Sequence, residues 1–519
     1  MKRWAPALEC FRQSLQDPHT GLFRVADVGG LPQRAPLMRR ILPAAFLLGY
    51  AVFLAAYFAP VPAGSDSSGY FNSARLLAEG RMSTPLRTLP GFEPSTPWVY
   101  TPHGFTPEGR QPGLTPTYPS GLPLQYVLAV KAAGWKWGPT LVAVLASVMG
   151  VVLTFFILRE LEVRESLAFA GAALLAVSPL FLQASFTPMS DVPATAWLAL
   201  AVLGGLRCQV SARWAAVAGL AFSVAVLIRP STAVLAPAFA LLLGGWLPIG
   251  WAAFGALPGV SWQLANGVIM YGSMLKTGYG EIGASFDWAN VWPSWCNYAF
   301  TFPRVLPLAF GLGLLPWWPW RTRGRVGVAL TVMTAILLGF YSFYNITHEV
   351  WWYLRFVLPV VPVLIALVLG SLEGFATRLG RPLKAAWLVP TVVIVLSVFP
   401  ELWWARKQHV LLMKSFQQPY ADAGQWAQAN LPAGTAVAAM HLSGTLYFYT
   451  DNPIVRWDLV SAEDVVAMRG VVSGSGRSIY AMVHPADDAG QFRERLPWRW
   501  DKVAEVGGVV VYRSAGQER

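Results

Sequence analysis

The sequence predicts an α-helical polytopic membrane protein with a small α/β soluble domain at its C-terminal end. Three observations carry this: charge is scarce, apolar runs of near-bilayer length follow one another, and ordinary soluble composition returns after Trp404. Of the 519 residues, 55% are hydrophobic and only 13% are charged, against about 25% charged in a typical soluble protein. The 24 Trp fit a membrane protein, because an indole settles at the membrane–water interface with its polar edge wet. The net charge of +12 raises the question of nucleic acid. No basic stripe sits on a soluble module, and cytoplasmic loops of membrane proteins are rich in Lys and Arg, so nucleic acid is set aside as a partner.

A spanning helix needs roughly 20 apolar residues. Candidate spans lie near residues 41–59, 138–158, 166–183, 191–206, 214–228, 231–247, 250–271, 304–320, 326–344, 356–372 and 385–403. Several are short or broken by Gly and Pro, so the expected number is about eleven. The first 40 residues are polar and basic, and the first apolar run is long enough to span, which predicts an uncleaved anchor.

Lys and Arg set the expected orientation. Lys2, Arg3, Arg12, Arg24, Arg34, Arg39 and Arg40 place the N-terminal segment in the cytoplasm. Alternation then puts Arg159 and Arg164, Arg207 and Arg213, the run Arg321, Arg323 and Arg325, and finally Arg378, Arg381 and Lys384 on the same inner side. The organisation expected is a cytoplasmic segment 1–40, a transmembrane domain 41–404 with a long outer loop 60–136, and an extracytoplasmic domain 405–519. A multi-pass protein of the cell inner (plasma) membrane follows. Cys10, Cys208 and Cys296 form no Cys-x-x-Cys pair, which excludes a zinc site of cysteines, and Cys296 alone falls outside, so no internal disulfide is expected.

The long outer loop opens on Ser65-Asp66-Ser67-Ser68-Gly69-Tyr70, with a helical stretch to Glu79 and then a Pro-, Gly- and Thr-rich stretch. Its apolar piece Leu122–Ala133 is too short to span and is expected at the interface. Beyond Trp404, strands are expected at Thr435–Met440, Ile454–Leu459, Ser478–Val483 and Val509–Arg513. Helices are expected at Ala421–Asn430, Ala462–Arg469 and Ala486–Leu496.

Ionisable residues at membrane depth are costly and therefore functional candidates. On the outer side these are Asp66, Asp191, Arg229, Lys276, His348, Glu349 and Arg355. Asp66 begins an interfacial helix, where a carboxylate serves as a base towards a membrane-embedded substrate or merely caps the helix. Asp191, in Phe186-Thr-Pro-Met-Ser-Asp-Val-Pro, has the signature of a helix start, with Pro193 just inside, and spacing alone favours capping. Arg229, Lys276 and Arg355 are positive where the inside bias argues against positive charge. A guanidinium grips phosphate with paired hydrogen bonds, or the side chain snorkels to lipid headgroups. His348-Glu349 suits a sugar or a metal, but a lone pair falls short of the three or four ligands a metal site needs. No Gly-rich phosphate loop, nucleotide fingerprint or Gly-x-Ser-x-Gly elbow occurs, so a nucleotide sugar has no visible site.

These residues together resemble the GT-C superfamily of membrane glycosyltransferases, in the bacterial branch similar to protein mannosyltransferases and to lipid A or core sugar transferases. The likeness rests on Asp66-Ser-Ser-Gly-Tyr-Phe-Asn-Ser-Ala-Arg-Leu-Leu-Ala-Glu-Gly with Tyr118-Pro-Ser-Gly-Leu-Pro-Leu, and on Pro188-Met-Ser-Asp191-Val-Pro. It continues in Gly219-Leu-Ala-Phe with Ile-Arg229-Pro230, and in Tyr271-Gly-Ser and Gly-Tyr-Gly followed by Arg355-Phe-Val-Leu-Pro-Val-Val-Pro. The resemblance implies a polyprenyl-phosphate-linked sugar donor at the outer leaflet and a glycolipid, polysaccharide or protein acceptor. It implies inverting transfer with Asp66 as general base, Asp191 assisting at the acceptor or organising the site, and Arg229, Lys276 or Arg355 holding the phosphate. Tyr118, His348 and Glu349 are the acceptor- or sugar-binding candidates. The superfamily often has Asp-Glu where this chain has Asp66-Ser67, and its members differ in their use of a divalent metal. A transporter or flippase for lipid-linked sugars, or a non-catalytic membrane scaffold, is the alternative. A transporter would carry paired broken helices and midplane charges, whereas here the candidate charges gather at one face.

Overall fold

The computed structural model describes residues 37–280, 282–378, 388–475 and 478–515. Lys2, Arg3, Cys10, Arg12, Arg24 and Arg34 of the expected cytoplasmic segment, with Arg381 and Lys384, lie outside them. The chain divides into two compact units, Met1–Tyr50 and Ala51–Arg519. The described part of the first is the opening of helix α1 (Leu37–Tyr57), which contains Pro43.

The second unit takes in the end of α1 from Ala51, then a short helix α2 (Gly64–Ala78) and a two-stranded antiparallel ribbon, β1 (Phe105–Thr106) with β2 (Thr115–Pro116). The helical body follows: α3 (Gly121–Glu160), α4 (Glu165–Val177), α5 (Pro179–Ser185), α6 (Asp191–Arg207), α7 (Ala212–Ile228), α8 (Ala236–Leu243), α9 (Trp246–Tyr271), α10 (Val291–Val305), α11 (Trp320–Ser342), α12 (Val361–Arg378) and α13 (Leu388–Lys407). Among the described residues, each of the eleven apolar runs falls mostly on helical segments. By length and composition, four helices among the described residues can cross a membrane, or six if each bent pair is one span. The bends, 56° between α4 and α5 and 102° between Trp288–Val305 and Pro307–Trp317, occur where Ser178-Pro179 and Leu306-Pro307 interrupt the helical hydrogen bonds.

The apolar piece Leu122–Ala133 forms the first part of α3 and is set off from the longer helix behind it by a kink at Gly134 (φ 68°, ψ 173°), a conformation that a glycine adopts without steric cost. The expected inner loops do lie together at one end of the body. Arg164 pairs with Glu373 at 2.8 Å, Arg207 with Glu160 at 2.5 Å, and Arg323 with Glu162. Arg325 reaches the Gly244 carbonyl at 3.1 Å.

The C-terminal region begins with α14 (Met413–Asn430) and carries a mixed sheet in the order β4 (Ile454–Val455), β3 (Val437–Ala438), β5 (Tyr480–Val483), β7 (Val509–Ser514), β6 (Trp500–Val506). Helices α15 (Ser443–Tyr449), α16 (Ala462–Ser475) and α17 (Ala489–Arg495) complete the expected α/β architecture. Two elements were not expected. The strand β6 carries Asp501, Lys502 and Glu505 and alternates with an exposed face, so it reads as a polar loop. The helix α15 is a seven-residue Ser-Gly-Thr-Leu-Tyr-Phe-Tyr run whose aromatics suggest a strand.

The long loop between α1 and α3 shares its cores with this domain. Phe105 and Leu114 join Val437, Leu446 and Val511 in one cluster, and Leu89, Phe92, Val99 and Tyr100 join Val455, Trp457 and Phe492 in another. Polar ties reinforce them: Asn72 donates to the Gly444 carbonyl at 2.9 Å, Arg75 to Phe448 at 2.7 Å, and the Ser95 hydroxyl to Asp464 at 2.7 Å. Arg75 and Arg87 both bind carbonyls at the C-terminal end of α15, where the helix leaves its acceptors unpaired. The domain is thereby fixed directly behind α2.

Candidate active site

Asp66 stands in the first turn of α2. It does not cap the helix: the cap position is Ala63, with no side-chain hydrogen bond. The Asp66 carboxylate instead accepts from the Tyr118 hydroxyl at 2.7 Å and from Arg355 Nη2 at 2.8 Å. Ser65 Oγ lies 2.8 Å from the same hydroxyl and completes a short chain. Two glycines admit this arrangement. A Cβ at Gly69 would fall 2.3 Å from the Tyr118 ring, and one at Gly104 (φ +90°) would fall 2.3 Å from the Gly69 Cα.

Asp191 opens α6 but does not cap it through its side chain, and neither does Ser190 before it. Its carboxylate is ion-paired with Arg229, and Arg355 Nη1 lies 3.9 Å away. Arg229 ends α7 in an extended conformation, because the following Pro230 disfavours helix at the residue before it. Its other nitrogen donates to the Tyr341 hydroxyl at 3.3 Å, which also lies 2.7 Å from Ser231 Oγ. The Phe356 ring sits 5.3 Å from Arg229 and 5.4 Å from Arg355, so one aromatic ring lies beside both cations.

Asp66, Arg355, Asp191 and Arg229 thus form a continuous chain of alternating charge at one end of the helical body. The two carboxylates differ in access: the Asp66 side chain is 29% exposed and that of Asp191 only 3%. Solvent reaches the first and scarcely the second. Burial alone would raise the Asp66 carboxyl, but Arg355, the Tyr118 hydroxyl and the more distant Arg229 outweigh it and hold the group below the usual carboxylate range. It is ionised at neutral pH.

Beside this chain lies a cavity of about 310 Å³, lined by Arg355, Met189, Gln183, Trp352 and, from α14, Met413 and Gln417. Three sequence candidates do not join the cluster. Lys276 is exposed and makes no ion pair among the described residues. Glu349 is exposed, and His348 keeps an unpartnered Nδ1. Neither reaches Asp66 or Asp191 by hydrogen bond or ion pair among the described residues. There, too, no group of three or more His, Cys, Asp or Glu is placed to hold a metal ion.

Sequence reasoning missed Tyr341, Gln183, Trp352, Phe356, Met413 and Gln417. Trp352 and Phe356 flank Arg355, which is a signal of a kind. Tyr341 and Gln183 are uncharged residues at the ends of apolar helices and carry none.

Helices gathered around a long loop with an aspartate at its head, and an α/β domain packed on that loop, give the chain a fold similar to the GT-C type. Residues 126–252 match the family model described as dolichyl-phosphate-mannose-protein mannosyltransferase. Solved structures agree over most of the chain. ArnT from Cupriavidus metallidurans, bound to undecaprenyl phosphate, is similar with 13% identity over 93% of this chain and 99% of that one, at a TM-score of 0.57. The oligosaccharyltransferase of Archaeoglobus fulgidus, in its apo form, is similar at 11% identity over 91% and 75%, TM-score 0.52. The arabinofuranosyltransferase AftD from Mycobacteria matches at 14% identity over 92% of this chain and 40% of that one, also at 0.52. No curated protein matches the sequence.

Proposed function

We propose that the protein is an inverting GT-C-type glycosyltransferase that moves a sugar from a polyprenyl-phosphate donor to a glycolipid, polysaccharide or protein acceptor outside the membrane. The observation that carries the reading is the Asp66–Arg355 pair: an accessible, ionised carboxylate held beside a guanidinium that also borders a cavity. The matched family description and the undecaprenyl phosphate in the similar ArnT structure support the donor class.

In this reading the acceptor hydroxyl gives its proton to Asp66 as its oxygen attacks the anomeric carbon. The bond from that carbon to the phosphate oxygen breaks on the opposite side, and the lipid phosphate leaves with the electron pair. The leaving group gains negative charge, which Arg355 stabilises in this reading. As Arg355 turns to phosphate, Asp66 loses a stabilising partner and becomes a stronger base. Asp191 and Arg229 hold Arg355 and the tops of α6 and α7 in register.

The remaining assignments belong to the same proposal. Residues 41–404 form the catalytic membrane domain and 405–519 the extracytoplasmic domain, with residues 1–40 in the cytoplasm of a bacterial-type inner membrane. Lys276 as a further phosphate contact, and His348 and Glu349 as acceptor or sugar contacts, belong to that proposal as well. A flippase reading is weaker, because the paired charges gather at one end of the helices.

The test is transfer by the reconstituted protein of radiolabelled sugar from undecaprenyl-phosphate-linked mannose or arabinofuranose to material in a membrane extract. Product of inverted anomeric configuration is expected. Labelled donor that only changes leaflet, with no product, would support the flippase.

A further inference from the structure

The cavity beside Arg355 has a wall composition that the transfer reading leaves unexplained. Leu180, Ala184, Met189 and Met413 are apolar, as the edge of a lipid groove would be. Gln183, Thr187 and Gln417 are not. The Gln183 side-chain oxygen is buried without a hydrogen-bond partner, and so is Arg355 Nε. An alkyl chain would leave the polar side chains of the cavity wall without hydrogen bonds, whereas a ligand with its own hydroxyls and an anionic oxygen would match them.

The ring of Trp352 closes one side, with the Arg355 guanidinium 5.5 Å from its centre. An aromatic plane, two carboxamides and a hydroxyl around one cation suit a sugar phosphate. The volume of about 310 Å³ falls at the small end of ligand pockets, which run from about 300 to 1,000 Å³. Two of the lining residues, Met413 and Gln417, come from the first helix of the outer domain.

We propose that this cavity is the subsite for the donor's sugar, that Gln183 reads a sugar hydroxyl there, and that Gln417 makes the outer domain a second reader. The proposal rests on the transfer reading, since it takes Arg355 as the phosphate partner. A sugar joined to that phosphate must lie within one bond of it, and the cavity begins at Arg355. The outer domain is then part of the donor site, beyond its support of α2.

The test is the affinity of the full-length protein in nanodiscs for bare undecaprenyl phosphate and for the same lipid carrying mannose or arabinofuranose. The wild type is expected to bind at least one sugar-bearing lipid more tightly than the bare one. Gln183→Leu should lose roughly 5- to 10-fold of that preference, the scale of one hydrogen bond to a buried group. Its affinity for the bare lipid should stay unchanged. Gln417→Leu should act in the same direction, and it keeps the test decisive if Gln183→Leu does not fold. Arg355→Gln should weaken both lipids alike. Preference for the sugar-bearing lipid that survives both glutamine variants, equal weakening of both lipids by them, or no preference in the wild type would overturn the sugar subsite alone. No binding of bare undecaprenyl phosphate by the wild type would overturn the transfer reading and the subsite with it.

Discussion

Arg355 donates across 2.8 Å to the Asp66 carboxylate, linking two residues that are 289 positions apart in the chain. The pair explains why Asp66 is ionised while partly buried, and why its basicity depends on what else Arg355 holds. Tyr118 contributes from the other side through its own bond to Asp66.

Tyr118→Phe removes that second bond and leaves Arg355 in place. Hydrogen bonding to the charged form lowers a carboxyl pKa, so its loss raises the pKa. A base works only when ionised, so the acid limb of kcat/KM for sugar transfer should move to higher pH. An unchanged limb would separate Tyr118 from the base.

Asp191 and Arg229 form the buried half of the charge chain, with side chains 3% and 11% exposed. Removing one partner strands the other charge, which costs about 3–5 kcal/mol for buried pairs. Asp191→Leu and Arg229→Met should each lower the apparent Tm, and the double variant should recover much of the loss without recovering activity. Additive losses in a thermal-melt comparison would show that the two residues act independently.

Much of this architecture was legible in the sequence, and the limits are physical. The loops rich in Arg foretold one end of the body, because an arginine such as Arg164 or Arg207 leaves a strong local signal and finds a carboxylate there. Asp66 and Asp191 stood out as carboxylates beside spans, yet spacing favoured capping for one and left the other open. Their true partners, Arg355 and Arg229, lie far away in sequence, and helix-start patterns are local by nature. Gln183 and Tyr341 could not be found at all, since an uncharged polar residue at a helix end is common and only the fold turns it towards a site. The shared cores of the outer loop and the C-terminal domain were equally hidden, because Phe105 and Val511 meet only in three dimensions.

Three histidines where the outer loop meets the C-terminal domain set a pH optimum for its stability. Burial pushes His103 and His484 down to about 4, so protonating them opposes the folded state. Their contribution is intact above the ordinary imidazole value of 6.5 and is lost as pH falls towards 4, at up to roughly 1.4 kcal/mol per pH unit for each. His441 behaves oppositely: its bond to Asp487 outweighs burial and raises it. Its contribution is full below 6.5 and fades as pH rises through its raised value. Apparent Tm should therefore peak near pH 6.5 from this cluster. His103→Gln should flatten the acid side and His441→Gln the alkaline side, as followed by thermal unfolding across pH.

The central claim is that Asp66 is the base of a transfer from a lipid-phosphate sugar. The most direct measurement is the single-turnover rate of Asp66→Asn against wild type, in the same liposomes and with the same labelled donor. Asparagine keeps the size and can still meet Tyr118, but it cannot take a proton. A 10²- to 10⁴-fold lower rate, roughly the contribution of a positioned general base, is predicted with the melting profile and undecaprenyl phosphate binding retained. A rate within about threefold of wild type in a folded, donor-binding protein would contradict the account, since a positioned base contributes far more than that.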